Sequence, residues 1–354
     1  MIEPYMAVGL QTSFYDIKKR EDIKKNLKHI CEMIDLAVLA CNLELPVKLV
    51  ALPEGAIQGF GDEIRDADQA EYTKECIIDI PGEETEILGE KAKQYNLFIL
   101  AQNKAKLPEF PHRYFNTTFI IDPKGEVIYT QRKNIVFVRE HSTTPHDVYD
   151  EWIKLYGNTI DAFFPVARTE IGNIATTCCM EGSFPETFRG FALNGAEIIY
   201  RPSYPEPWLS GEQFEIQNRA RALDNTCYVI APSCGYHYLD ENKTQGAILQ
   251  GRSMIVDYRG TLIAHNYSTS DTFVAAPINV EQLRYHRAHA KFLNWLPYLK
   301  TEIYKIIYES PIWPKNLPPM KHDKADELFY KIVKELQERG IYMPPSRNTW
   351  NPEK

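Results

Sequence analysis

The stretch that decides the fold runs from Ile171 to Glu186 and reads I-G-N-I-A-T-T-C-C-M-E-G-S-F-P-E. Its run from Ile174 to Cys178 has the length and composition of a buried strand. Gly182 and Ser183 interrupt it, and Phe184-Pro185-Glu186 opens a helix with proline in the first turn. A cysteine therefore stands at a strand-to-helix corner. There a thiol projects past the carboxyl end of the strand, and the N–H groups of the turn can face an oxyanion formed beside it. Free cysteine is most often a small buried hydrophobe. Strand side chains alternate between faces, however, so Cys178 and Cys179 cannot both point into one core. Cys179 is the candidate for chemistry and Cys178 the core residue.

On the amino-terminal side the pattern alternates strand and helix: strands at Met6–Thr12, Val47–Leu52 and Leu97–Gln102, with helices at Glu21–Cys41 and Glu84–Tyr95. A hairpin follows, Phe115–Ile121 and Glu126–Gln131 about the turn Asp122-Pro123-Lys124-Gly125. The second half repeats this order. Strands are expected at Asn173–Cys179, Glu197–Arg201 and Thr226–Pro232, with helices at Pro185–Asn194 and Gly211–Asp224. Residues 254–263, with Asp257 and Gly260, then echo residues 119–128, with Asp122 and Gly125. Such a pseudo-twofold repeat predicts an α/β fold in which two stacked mixed sheets lie between outer helices. The repeat, with a last strand at Asp271–Ile278 and a helix at Gln282–Leu293, fills a domain of residues 1–290. Residues 291–354 carry Pro297, Pro311, Pro314, Pro318 and Pro319 among aromatic residues and are expected to form an arm packed on the body or on a partner subunit.

Composition narrows the class. The net charge is -8 over 354 residues and the basic residues are scattered, which argues against nucleic acid or anionic membrane as a partner. No apolar run approaches the ~20 residues of a membrane span. Seven cysteines, an odd number without a leader-like start, are read as reduced thiols in the cytoplasm rather than a disulfide framework. No Cys-x-x-Cys or His-x-x-x-His spacing suggests a metal.

Two further strand ends carry chemistry. Glu54 follows Val50-Ala51-Leu52-Pro53, and Lys133 ends the hairpin strand. In α/β sheets catalytic groups gather at such carboxyl ends. A base, a cation and a thiol together are what acyl transfer requires. Pro53-Glu54-Gly55, Arg132-Lys133, and C-x-E-x-x-F-P-E-x-x-R from Cys179 to Arg189, followed by N-G-A-E-I-I, resemble the nitrilase, or carbon–nitrogen hydrolase, superfamily. The similarity covers roughly Met6 to Val280.

The resemblance implies an α-β-β-α sandwich and a Glu-Lys-Cys triad, carried over to Glu54, Lys133 and Cys179. It also implies a second glutamate beyond the lysine, at Glu140 or, less well spaced, Glu151. By this analogy Glu54 takes the thiol proton, Lys133 and the Met180 N–H hold the oxyanion, and a thioester forms and is hydrolysed without metal or organic cofactor. Met180, Glu181, Tyr204 and Trp208 are the expected substrate contacts, with Phe60 a further aromatic wall. The positions just after Cys179, from Met180 to Ser183, hold no arginine for a substrate carboxylate. The expected activity is therefore cleavage of a small neutral amide or hydrazide; a nitrilase or an N-carbamoyl-amine hydrolase is the alternative enzyme, and an inactive scaffold the alternative class. Family members pair through their helices, so a homodimer or higher even oligomer is expected.

Overall fold

The computed structural model of the protein describes residues 1–204, 212–240, 242–248 and 251–345. Two six-stranded sheets share one topology. The first comprises β1 (Tyr5–Gln11), β2 (Val47–Ala51), β3 (Phe98–Lys106), β4 (Tyr114–Ile121) and β5 (Val127–Arg132), with β12 (Thr272–Ile278) at its edge in the order β12-β1-β2-β3-β4-β5. The second comprises β6 (Ala167–Thr169), β7 (Gly172–Thr176), β8 (Ile198–Tyr200), β9 (Tyr228–Ala231), β10 (Met254–Val256) and β11 (Leu262–His265), in that order. Each sheet has an antiparallel edge, then three parallel strands, then an antiparallel hairpin. The repeat read from sequence is thus a repeat of topology, and its turns match in detail. Asp122 Oδ1 accepts from the N–H groups of Lys124 and Glu126, and Asp257 Oδ1 from those of Arg259 and Thr261. Gly125 and Gly260 take the left-handed φ of +81° and +77° that such a turn requires.

Strand alternation builds the layers. Val8, Val50 and Ile99 face α1 (Ile23–Cys41) and α2 (Glu83–Tyr95), which present Leu27, Ile30, Ile34, Leu88 and Ala92. Their neighbours Ala7, Leu49 and Leu100 face Ile174, Ile198 and Ile230 of the other sheet. That sheet's outer face, with Ala175, Ile199 and Val229, is covered by α3 (Pro185–Leu193) and α4 (Glu212–Asn225) through Phe188, Phe191, Phe214 and Ala222. The result is an α-β-β-α sandwich, continued by α5 (Val280–His289).

The structure differs from the sequence reading in several places, among them the helix expected at Gln282–Leu293, which runs from Val280 to His289. The strand expected at Asn173–Cys179 ends at Thr176, and residues 179–183 form a 3-10 turn. The strand expected to end at Gln102 runs to Lys106, because its partner β4 continues to pair with it. A small third sheet, Phe14–Tyr15 with Tyr236–Tyr238 and Gly246–Ile248, was not foreseen; its strands are too short to show a period.

Beyond α5 the chain lies against its own body among the described residues. The Arg113 guanidinium donates to Leu317 O, Arg139 pairs with Asp326, Tyr308 OH donates to Glu186, and α6 (His322–Glu338) buries the narrow stripe Ala325, Ile332 and Leu336.

Candidate active site

Three strand ends converge between the sheets. Glu54, 1% exposed, follows β2. Its turn depends on Gly55 at φ +78°, where a Cβ would stand 2.1 Å from the Phe60 ring. Glu54 Oε1 accepts from Lys133 Nζ at 3.2 Å, from Asn116 Nδ2 at 3.1 Å and from Cys178 Sγ at 3.1 Å. Its Oε2 is buried and has no hydrogen-bond partner among the described residues.

Lys133 is 1% exposed and donates to Glu140 Oε2 at 2.7 Å. Burial by itself would lower its pKa. The carboxylates of Glu140 and Glu54 outweigh that effect and hold it well above the ordinary lysine value, so it is a fixed cation. Glu151, by contrast, sits on the helix Tyr149–Tyr156 facing Lys154 at the surface. The segment after the lysine thus brings Glu140 to the site and leaves Glu151 outside it.

Between the acids lies Asn116, which sequence reasoning missed. Its Nδ2 bridges Glu54 and Glu140, and its Oδ1 accepts from Gln102 Nε2 at 2.8 Å. The available signal was the polar run Asn116-Thr117-Thr118 within an otherwise apolar strand.

Of the two cysteines, Cys178 touches this cluster and Cys179 occupies the turn that follows it. Cys178 is fully buried, but the expectation of an apolar core position is corrected. Its Sγ touches Glu54 Oε1, and Asn116 Oδ1 at 3.6 Å, because Cys178 keeps the inward parity of Thr176. Burial, then the Glu54 charge, raises its pKa well above the ordinary thiol value.

Cys179 takes φ +50°, a region that non-glycine residues occupy only under constraint. The constraint is visible. Cys179 N–H donates to Pro202 O at 2.8 Å, and its carbonyl accepts from Arg201 Nε at 3.2 Å. Its Sγ is 3.8 Å from Ser203 Oγ. Arg201 is fully buried and also donates to Asn218 Oδ1 and Gln217 Oε1. It stands at the end of its strand as Glu54 does in the first sheet, but the sequence reading had used it only as a strand boundary.

Glu181 is corrected as well. Its carboxylate, expected to meet substrate, is fully buried and accepts from Asn134 N, Thr177 Oγ1, Cys178 N and Gln131 Nε2 at 2.8, 3.0, 3.2 and 3.3 Å. Burial raises its pKa, partly offset by these donors. Such a carboxylate braces the turn. Met180 beside it is half-buried. Tyr204 stacks on Phe60 with ring centroids 4.0 Å apart and its hydroxyl lies 2.8 Å from His237 Nδ1, which gives one aromatic wall. Trp208 lies outside the described residues.

A second buried acid–base group adjoins this wall. Lys104 Nζ lies over the Phe60 ring and bonds Asp62 at 2.5 and 2.6 Å and Glu63 at 2.7 Å. Burial, reinforced by Asp62 and Glu140 and partly offset by Lys104, pushes Glu63 up to about 8.

A strained strand-to-helix turn that bears two cysteines, the first of them on a carboxylate that also holds a buried lysine, inside a four-layer sandwich, defines a class of hydrolase. The chain belongs to the carbon–nitrogen hydrolase family, whose model matches residues 7–288. Deaminated glutathione amidase of Synechocystis sp. is 26% identical over 292 residues, covering 80% of this chain and 94% of its own. Formamidase of Bacillus cereus is 25% identical over 288 residues, 79% of this chain and 76% of its own. In structure, a carbon–nitrogen hydrolase from Helicobacter pylori G27 superposes with a TM-score of 0.64 at 20% identity, covering 87% of this chain and 99% of that one.

The brace is testable. Glu181→Ala leaves the N–H groups of Asn134 and Cys178 buried without this acceptor and should cost at least about 2 kcal/mol in urea unfolding. Glu181→Gln, which keeps one acceptor oxygen, should cost less. Equal stability of the alanine variant and the wild type would remove Glu181 from this role.

Proposed function

We propose that the enzyme hydrolyses the C–N bond of a small neutral amide through a thioester on Cys179. The observation that carries this is the strained φ of Cys179, held by Arg201 and Pro202 beside the Glu54–Lys133–Glu140 cluster. Glu54, whose Oε2 is unpartnered among the described residues, accepts the thiol proton as sulfur attacks the carbonyl carbon. The oxyanion is stabilised by the Lys133 ammonium and the Met180 N–H. Collapse breaks the C–N bond, and Glu54 returns the proton to the departing ammonia or amine. Water, losing a proton to Glu54, then attacks the thioester; the acid leaves and the thiol is restored. Glu140 and Asn116 orient Lys133 and Glu54 throughout.

A second reading rests on one contact: Cys178 Sγ, not Cys179 Sγ, lies 3.1 Å from Glu54. Cys178 is 0% exposed against 5% for Cys179, so substrate has the shorter approach to Cys179. Cys179→Ala and Cys179→Ser should lower kcat/KM by at least ~10³-fold with the fold retained, whereas Cys178→Ala should keep chemistry and lose roughly 1–2 kcal/mol of stability. Intact-mass detection of an acyl adduct in Cys179→Ala but not in Cys178→Ala would transfer the role to Cys178.

Charge sets the substrate direction. Among the described residues, Glu54, Glu140, Asp62 and Glu63 face two ammonium groups, Lys133 and Lys104, and even with Glu63 protonated these two clusters together keep one carboxylate in excess. An anionic substrate would be repelled, and the aromatic wall of Phe60 and Tyr204 suits an apolar or weakly cationic acyl or amine group. Its relatives at about a quarter identity are named amidases, which supports amides over nitriles. In a panel of amides, hydrazides, nitriles, ureas and N-carbamoyl amino acids assayed for ammonia or amine release, the neutral amides should lead. Preference for an N-carbamoyl amino acid or a nitrile would overturn this assignment.

The arm presents Ile303, Ile306, Ile307 and Ile312 to solvent, each more than half exposed. A surface of this kind fits a homodimer or higher even oligomer. Sedimentation at micromolar concentration should show at least twice the chain mass, and a monomer alone would refute the assembly.

A further inference from the structure

Outside the catalytic cluster, the described residues hold one group of side chains with the chemistry of a metal site. Asp66 comes from the loop after Asp62 and Glu63, His141 directly follows Glu140, and His322 opens α6 on the C-terminal arm. Their donor atoms lie within 4.8 Å of one another. His141 Nε2 is 3.0 Å from Asp66 Oδ1, and His322 Nε2 is 3.7 Å from the same oxygen. Metal–ligand bonds of about 2.0–2.1 Å in a tetrahedron place ligand atoms about 3.3 Å apart, and these separations bracket that value.

Proximity alone would be weak. The second observation is that His141 is 8% exposed and its Nε2 is buried without a hydrogen-bond partner, so the approach to Asp66 lacks the alignment of a hydrogen bond. A buried imidazole nitrogen close to a carboxylate, yet without a hydrogen bond to it, is a polar atom left unsatisfied. The His141 backbone is fixed, its carbonyl accepting from Gln69 Nε2 at 2.6 Å. Other polar contacts leave the site open. Asp66 Oδ1 accepts from the His322 N–H at 3.3 Å, Lys321 Nζ donates to the Asp66 carbonyl rather than its carboxylate, and His322 Nε2 lies 3.2 Å from Arg139 O, a bond a metal ion would replace. Asp66 is the most exposed of the three, which leaves a side for entry and for water as a fourth ligand.

We propose that Asp66, His141 and His322 bind one divalent transition-metal ion, of which zinc is the best match to two imidazoles and a carboxylate. The ion would clamp the C-terminal arm to the loop bearing Glu140 and to the loop that follows Asp62 and Glu63. It would be a structural tie, beside the catalytic groups but not among them.

The test uses the full chain, stripped of metal and titrated with zinc or cobalt(II) chloride. Because thiols also bind these ions, the titration is run in parallel on a Cys178→Ala/Cys179→Ala variant. About one equivalent of zinc should bind per chain in both proteins. The cobalt form of the cysteine variant should show d–d absorption without a thiolate charge-transfer band, and its Tm should rise. His322→Ala, a partly exposed position on the arm, should weaken binding roughly 100-fold or more and abolish the rise while leaving the circular dichroism spectrum unchanged. His141→Ala should do the same. Absence of binding at micromolar zinc, binding that survives in His322→Ala, or binding lost with the cysteines would each overturn the site.

Discussion

The structure turns on a lysine ammonium held where water cannot reach it. Isolating a cation in a protein interior costs on the order of several kcal/mol even after relaxation, so Lys133 is tolerated only with both Glu54 and Glu140 on it. Those partners arrive from different places. Glu54 comes from the end of one parallel strand, and Glu140 from a loop folded back over the hairpin end. Asn116 spans them from the neighbouring strand and prevents two carboxylates from facing each other unsatisfied. The first sheet must therefore keep its register across four strands for the charge to be neutralised, which couples the fold to the site directly.

The second sheet contributes strain rather than charge. A left-handed backbone at a cysteine persists only where its surroundings over-determine it. Around Cys179 that is done by the Pro202 carbonyl, the Arg201 guanidinium and the fully buried Glu181 carboxylate, which ties the start of the turn at Cys178 N to the Asn134 N–H beyond the hairpin strand. The same device separates the two thiols. Cys178 stays in strand parity and lies on Glu54, while Cys179 is lifted out of the strand toward Ser203.

Much of this was legible in the chain. Strands and helices followed from apolar period, and the recurrence of Asp-x-x-Gly turns within apolar runs exposed the repeat that the two sheets share, because turn chemistry is local. Glu54 and Lys133 stood out as charged residues at strand ends, where the sheet projects its carboxyl termini into a common space. Asn116, Arg201 and the bracing role of Glu181 were not legible in the same way. Each is a polar residue in or beside a buried strand, and whether it meets substrate or backbone depends on which neighbours the fold supplies.

The sequence by itself determined the layered α/β architecture, the repeat and the chemical types gathered for acyl transfer, since these follow from periodicity and local turns. Only the tertiary structure decided that Glu140 and not Glu151 faces Lys133, and that Glu181 is enclosed by N–H donors rather than open to substrate. It alone also brought Asp66, His141 and His322 together across most of the chain. The reason is physical. Burial and pairing are properties of three-dimensional neighbours, and no spacing along the chain encodes which distant segments will exclude water from a given side chain.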